Sequence, residues 1–219
     1  MSFSEELLQE GTDIWAAQFD HPFVTELADG DLDREVFQHW IKQDYQYLLD
    51  YARTYALAGT KARRESTVRT FLDTAATVLN EEMDLHRSFA ADYGVSTAQL
   101  EAAEKSPTCV AYTSHLMRTA YDRPLPVIAA SMFPCMQGFL DVADHMRERS
   151  DGEHRYTPFI DLYTSDEFRT ATANVRAVVD NLADQYPGYQ DEMCDAFLTS
   201  ARLELQFFEM AYTLESWDH

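Results

Sequence analysis

Helical periodicity, interrupted at regular intervals by turn-type residues, constrains this chain more than any other feature. Breaks fall at Tyr93-Gly94, Ser106-Pro107, Arg123-Pro124, Ser150-Asp151-Gly152 and Pro187-Gly188, each a composition that stops a helix or turns the chain. Between them apolar residues recur at three- and four-residue spacing, and convincing strand alternation is absent. Ser4 or Ser2 can cap a first helix with Glu5 and Glu6 in its first turn and an apolar face of Leu7, Leu8, Ile14, Trp15 and Phe19. In His21-Pro22-Phe23 the proline suits a first helical position. Asp31 or Asp33 then caps a long segment through Phe37, Trp40, Ile41, Tyr47, Leu48 and Tyr51 to about Leu57. Further helices are predicted at about 65–92, 97–104, 107–121, 125–149, 166–186 and 189–216. The expectation is an all-α fold, one domain over residues 1–219, with long helices packed around one core.

Composition narrows the function classes. With 46% hydrophobic residues the 219-residue chain can bury a sizeable core. No uninterrupted apolar run approaches the roughly 18 residues of a membrane span, and the opening Met1-Ser2-Phe3-Ser4 has no basic region before an apolar one. The expectation is a soluble, cytoplasmic protein with no membrane partner. The formal charge of -21 repels phosphates, which argues against nucleic-acid partners. Lys42, Lys61 and Lys105 are the only lysines among 17 cations, the rest being arginines. Acidic excess with scarce lysine points to a halophile, whose salt screens the repulsion; an ordinary acidic protein is the plainer alternative.

Cys109, Cys135 and Cys194 are odd in number, far apart and without CxxC spacing, so neither a disulfide framework nor a structural zinc site is expected. Cys135 has the unusual setting. It follows Pro134 in the middle of a predicted helix, where proline removes a backbone donor at roughly 3 kcal/mol or more. Rule-breaking of this kind often marks a working site, and Gly138 one turn on permits close approach by a ligand or another backbone. The alternative is an inert buried thiol.

Two carboxylates fall on apolar stripes. Asp44, Tyr47, Leu48 and Tyr51 share a helix face, so Asp44 is either satisfied by a neighbouring helix or reserved for a ligand. Glu204 lies with Phe207, Phe208 and Ala211, while Glu209 is rotated away. An inward Glu204 would hold its proton and suit a proton shuttle, whereas an outward one would only solvate the helix. A di-iron bundle would show Glu-x-x-His, but none of the seven histidines, His21 to His219, has Glu three residues before it. The lone pair Glu82 and His86 reads as structural, so no metal is expected.

Together these pieces resemble the TenA/thiaminase II family over nearly the whole chain. The most specific parts are Gln43-Asp44-Tyr45-Gln46-Tyr47-Leu48, Pro134-Cys135 and Glu204-x-x-Phe207-Phe208-Glu209-Met210-Ala211, in that order. The resemblance implies a haem-oxygenase-like multi-helix bundle, usually a homotetramer without a cofactor. In the cysteine-containing branch it implies aminopyrimidine aminohydrolase activity in thiamine salvage. The substrate would be 4-amino-5-aminomethyl-2-methylpyrimidine, and cleavage of thiamine itself is a related activity. By the same resemblance Cys135 matches the nucleophile, Glu204 the proton donor and Tyr47 a hydroxyl that helps activate the thiol. Asp44, Tyr163 and Tyr112 match substrate-contacting residues. Phe139 stands where the family commonly has tyrosine and Phe208 where it commonly has tryptophan, so ring stacking persists at both but a phenolic hydrogen bond is lost at Phe139. Two competing readings remain: a non-catalytic pyrimidine-binding or regulatory protein of the same fold, and a metal-dependent oxidase, which the missing Glu-x-x-His disfavours.

Overall fold

Asp33 accepts a hydrogen bond from the Glu35 backbone at 2.8 Å and starts the longest helix, Arg34–Lys61. The computed structural model describes residues 1–217; His219, the last histidine screened above, lies outside them. In chain order the helices are α1 (Phe3–Glu10), α2 (Thr12–Phe19), α3 (Pro22–Asp29), α4 (Arg34–Lys61), α5 (Glu65–Thr77), α6 (Met83–Asp92), α7 (Thr97–Glu101), α8 (Pro107–Asp122), α9 (Leu125–Arg149), α10 (Thr157–Tyr163), α11 (Asp166–Gln185) and α12 (Gln190–Tyr212). No strand occurs among the described residues. The all-α expectation holds.

The local signals explain most boundaries. Ser2 closes a capping box with Glu5 on α1, and His21 caps α3 with Pro22 at its first position. Gly30 ends α3 at φ 81°, a left-handed conformation that favours glycine, and a Cβ there would meet the His154 ring at 2.7 Å. Three features depart from the sequence reading. The first predicted helix is two, divided at Gly11. The segment near 65–92 carries a π-turn, Val78–Glu82, between α5 and α6. A short helix, α10, begins at Thr157-Pro158 where none was expected.

Helix α9 is the axis of the bundle. It packs against α12, α11, α3, α8 and α10, and one buried core runs from Leu7 to Ala211. Its length and mean hydropathy of 1.4 would allow a membrane span, but 89% of that window is buried among the other helices. It is therefore accounted for as a core helix. Pro134 neither ends nor interrupts it. The proline cannot donate to the Ala130 carbonyl one turn earlier, and close by the Tyr51 hydroxyl donates to the Met132 carbonyl at 3.1 Å.

Candidate active site

Six helices and the π-turn converge on a cavity of about 200 Å³. α4 contributes Asp44, Leu48 and Tyr51; the π-turn and α6 contribute Glu81, Glu82 and His86. α9 contributes Cys135, Met136 and Phe139, α10 contributes Tyr163, and α11 contributes Glu167 and Phe168. A small, largely apolar chamber with a few convergent polar groups suits a single substituted ring. A second cleft of about 670 Å³ shares Tyr51, Thr77, Glu82, Met136 and Ala171 with it, but holds neither Cys135 nor Asp44. The smaller cavity is therefore the candidate site.

Four of the residues expected from sequence, Asp44, Cys135, Phe139 and Tyr163, line this cavity. Three others form a buried polar cluster beside it. The Tyr112 hydroxyl donates to Glu204 Oε1 at 2.6 Å, and the Tyr47 ring centroid lies 4.8 Å from that of Tyr112. Phe208 is placed differently: it stacks on Phe23 at 5.4 Å and stands behind Phe139 at 6.1 Å, rather than on the cavity wall. Gly138 also departs from expectation. A Cβ there would make only ordinary contacts with Gln18 and Trp15, so it faces α2 instead of a ligand.

The electrostatics divide the acids. Burial pushes the Glu204 carboxyl up to about 8, the Tyr112 hydrogen bond opposes the rise, and the Asp44 charge adds to it. Glu204 therefore retains its proton at neutral pH. Burial also holds the Cys135 thiol well above its ordinary range, reinforced by Glu204 and opposed by the nearby Tyr47 hydroxyl. Cys135 therefore rests as a thiol. The Tyr47 hydroxyl is buried with no completed hydrogen bond among the described residues, a state that costs roughly 1–3 kcal/mol and is common where a ligand completes the set.

Two residues that line the cavity were discounted in sequence. The His86 imidazole bonds to Asp44 Oδ2 through Nε2 and to the Glu82 carbonyl through Nδ1, the latter at 2.9 Å. Burial favours the neutral ring, but the Asp44 charge and the hydrogen bonds to Asp44 and Glu82 outweigh it and hold His86 above its ordinary value. Burial raises the Glu82 carboxyl too, with His86 opposing and Asp44 adding. The i, i+4 spacing of Glu82 and His86 was visible, but nothing in sequence aligned it with Asp44. No group of three His, Cys, Asp or Glu side chains with metal-binding geometry occurs among the described residues. Cys109 is buried against the Gln43 carbonyl at 3.6 Å, its thiol pushed up to about 12, and lies off the cavity.

Residues 8–214 match the sequence model of the TENA/THI-4/PQQC family. The chain is 35% identical to a protein of Halalkalibacterium halodurans named aminopyrimidine aminohydrolase, over 100% of this chain and 99% of that one. A solved TenA homologue from P. horikoshii OT3 superposes with a TM-score of 0.90 at 22% identity, covering 97% of this chain and 99% of the other. A Shewanella denitrificans domain of unknown function, described as having a heme oxygenase-like fold, superposes with a TM-score of 0.77 at 12% identity. It covers 96% of this chain and 92% of that domain. The helical bundle is thus of haem-oxygenase-like type.

Proposed function

The chain belongs to the TENA/THI-4/PQQC family, and from that premise we propose that it is an aminopyrimidine aminohydrolase of thiamine salvage. It is a hydrolase acting on C–N bonds, as is its 35%-identical relative of that name. The substrate is 4-amino-5-aminomethyl-2-methylpyrimidine, which gives the 5-hydroxymethyl compound and ammonia. Thiamine is cleaved by the same ring chemistry. The observation that carries this reading is that Cys135 and Asp44 share one small aromatic-walled cavity.

In the proposed mechanism Asp44 accepts hydrogen bonds from the amidine-like edge of the pyrimidine, while Phe139 and Tyr163, packed on each other at 5.1 Å between centroids, present one aromatic wall to the ring. The Cys135 sulfur adds to a ring carbon, its proton passing by way of Tyr47, and a ring nitrogen gains a proton as the C–N π pair moves onto it. Those electrons then return through the ring to form an exocyclic alkene, and the amine leaves with the proton of Glu204. Water adds to the alkene carbon and returns a proton to Glu204. The ring nitrogen loses its proton, and sulfur departs and is reprotonated. One difficult displacement becomes several easier steps. Tyr112 holds the Glu204 carboxyl in place, and Phe208 supports Phe139 from behind.

The single buried core supports one domain. The cytoplasmic, homotetrameric and halophilic readings rest on composition and on the family resemblance. Light scattering, and activity against potassium chloride concentration, test the last two. The decisive experiment is ammonia release from the aminomethylpyrimidine, with thiamine assayed alongside. Turnover that Cys135→Ala abolishes supports the hydrolase, whereas tight pyrimidine binding without turnover in the wild type replaces it with the binding-protein reading.

A further inference from the structure

His86 has no part in the reaction sequence above, yet both of its ring nitrogens are committed. Nδ1 faces the Glu82 carbonyl at 2.9 Å, an atom that can only accept, and Nε2 faces Asp44 Oδ2. Two acceptors call for two N–H donors, which is the imidazolium. The cavity wall carries the carboxyl groups of Asp44, Glu81, Glu82 and Glu167, and among the described residues His86 is its sole basic side chain. Asp44 Oδ2 is thereby occupied, while Oδ1 has no protein donor among the described residues.

The backbone is arranged for this contact. In the π-turn the Met83 N–H bonds to the Val78 carbonyl, five residues back. The extra residue rotates everything after it by about 100° relative to a continuous α-helix. That rotation sets the face of α6 from which His86 reaches Asp44 of α4, 42 residues away in sequence.

We propose that His86 is the positioning residue for the pyrimidine: it grips Asp44 by Oδ2, holds that carboxyl in one orientation, and leaves Oδ1 to accept the N–H of the amidine-like edge. The proposal rests on the assignment of Asp44 as the pyrimidine-binding carboxylate. The groups that bear on the His86 charge are Asp44 from α4 and Glu82 from the π-turn. Glu81, Cys135, Tyr163 and Glu167 lie elsewhere on the same wall. Asp44 and the Glu82 carbonyl hold the imidazole protonated past its ordinary range; as pH climbs through the raised value the ring loses its charge and its Nδ1–H bond to Glu82, and the hold on Asp44 weakens to one neutral N–H. The Michaelis constant for the pyrimidine should therefore rise on the alkaline side.

The test compares His86→Leu, which removes the donor, with His86→Gln, which keeps an N–H for Asp44 but has no charge to lose. Ammonia release from the aminomethylpyrimidine is measured across pH, with circular dichroism to establish folding. In His86→Leu, KM should rise about ten- to hundredfold, the loss of one charge-assisted hydrogen bond, with a much smaller change in kcat. His86→Gln should give a KM between those of the wild type and His86→Leu at neutral pH, near the wild type's alkaline plateau, and lose the alkaline rise. If His86→Leu does not fold, the alkaline limb of His86→Gln decides alone. A wild-type KM in His86→Leu, or a wild-type alkaline rise in His86→Gln, overturns the proposal while wild-type ammonia release leaves the function standing. No ammonia from the wild type overturns both.

Discussion

The hydroxyl of Tyr112 on α8 donates to Glu204 Oε1 on α12 at 2.6 Å, inside a region that excludes water from both groups. The bond fixes the carboxyl in place, yet burial still pushes it up to about 8. An acid strong enough to give its proton to a leaving amine, and weak enough to hold it at neutral pH, is the result.

Turnover should therefore fall as pH rises through about 8. The same group sets a stability trend of known sign. Below its unfolded value of 4.5 the carboxyl is protonated in both states and costs nothing. Between 4.5 and about 8 the unfolded chain releases a proton that the folded chain retains, so the fold loses stability as pH rises and bears the full cost above about 8. Glu204→Gln should raise Tm over the wild type above pH 8 and not near 4.5, while kcat falls roughly 10²–10⁴-fold. Calorimetry at the two pH extremes and an ammonia assay check both.

Tyr47→Phe separates function from stability. The hydroxyl it removes is buried and completes no hydrogen bond of good geometry among the described residues, so the variant should be about as stable as the wild type. Its kcat should fall at least about tenfold if the hydroxyl relays the thiol proton. Urea unfolding together with steady-state kinetics would show kcat falling with stability held; unchanged kcat would remove Tyr47 from the mechanism.

Cys135 should be a poor target for alkylation. Its thiol is held well above the usual range by burial and by Glu204, and the thiolate is the reactive form. Iodoacetamide labelling at neutral pH should be much slower than for a free cysteine. Cys135→Ala should lose turnover but still bind the hydroxymethylpyrimidine product, as titration calorimetry would report.

Pro134→Ala restores a backbone donor for the Ala130 carbonyl inside a continuous helix, a change worth up to about 3 kcal/mol. The variant should unfold at higher temperature. If the proline sets where Cys135 faces, kcat should fall in the same protein. A gain in both quantities would show that the proline has no part in the chemistry.

The sequence by itself determined the helices and most of the candidate residues. Periodicity and turn residues located α8, α9, α11 and α12 within a few residues, because a helix face and its caps are local properties. Asp44 and Glu204 stood out as carboxylates on apolar stripes and Cys135 by the proline before it, while Tyr47 was singled out by the family resemblance. The π-turn was invisible, since it is a one-residue change of register in an otherwise helical segment. What only the tertiary structure decided is which faces meet. The Asp44–His86 and Tyr112–Glu204 contacts join residues 42 and 92 positions apart, and the buried core sets both their alignment and their dryness. Spacing can place a carboxyl on an inward face, but only packing removes its water, and that removal turns Glu204 into an acid and leaves Tyr47 without a partner.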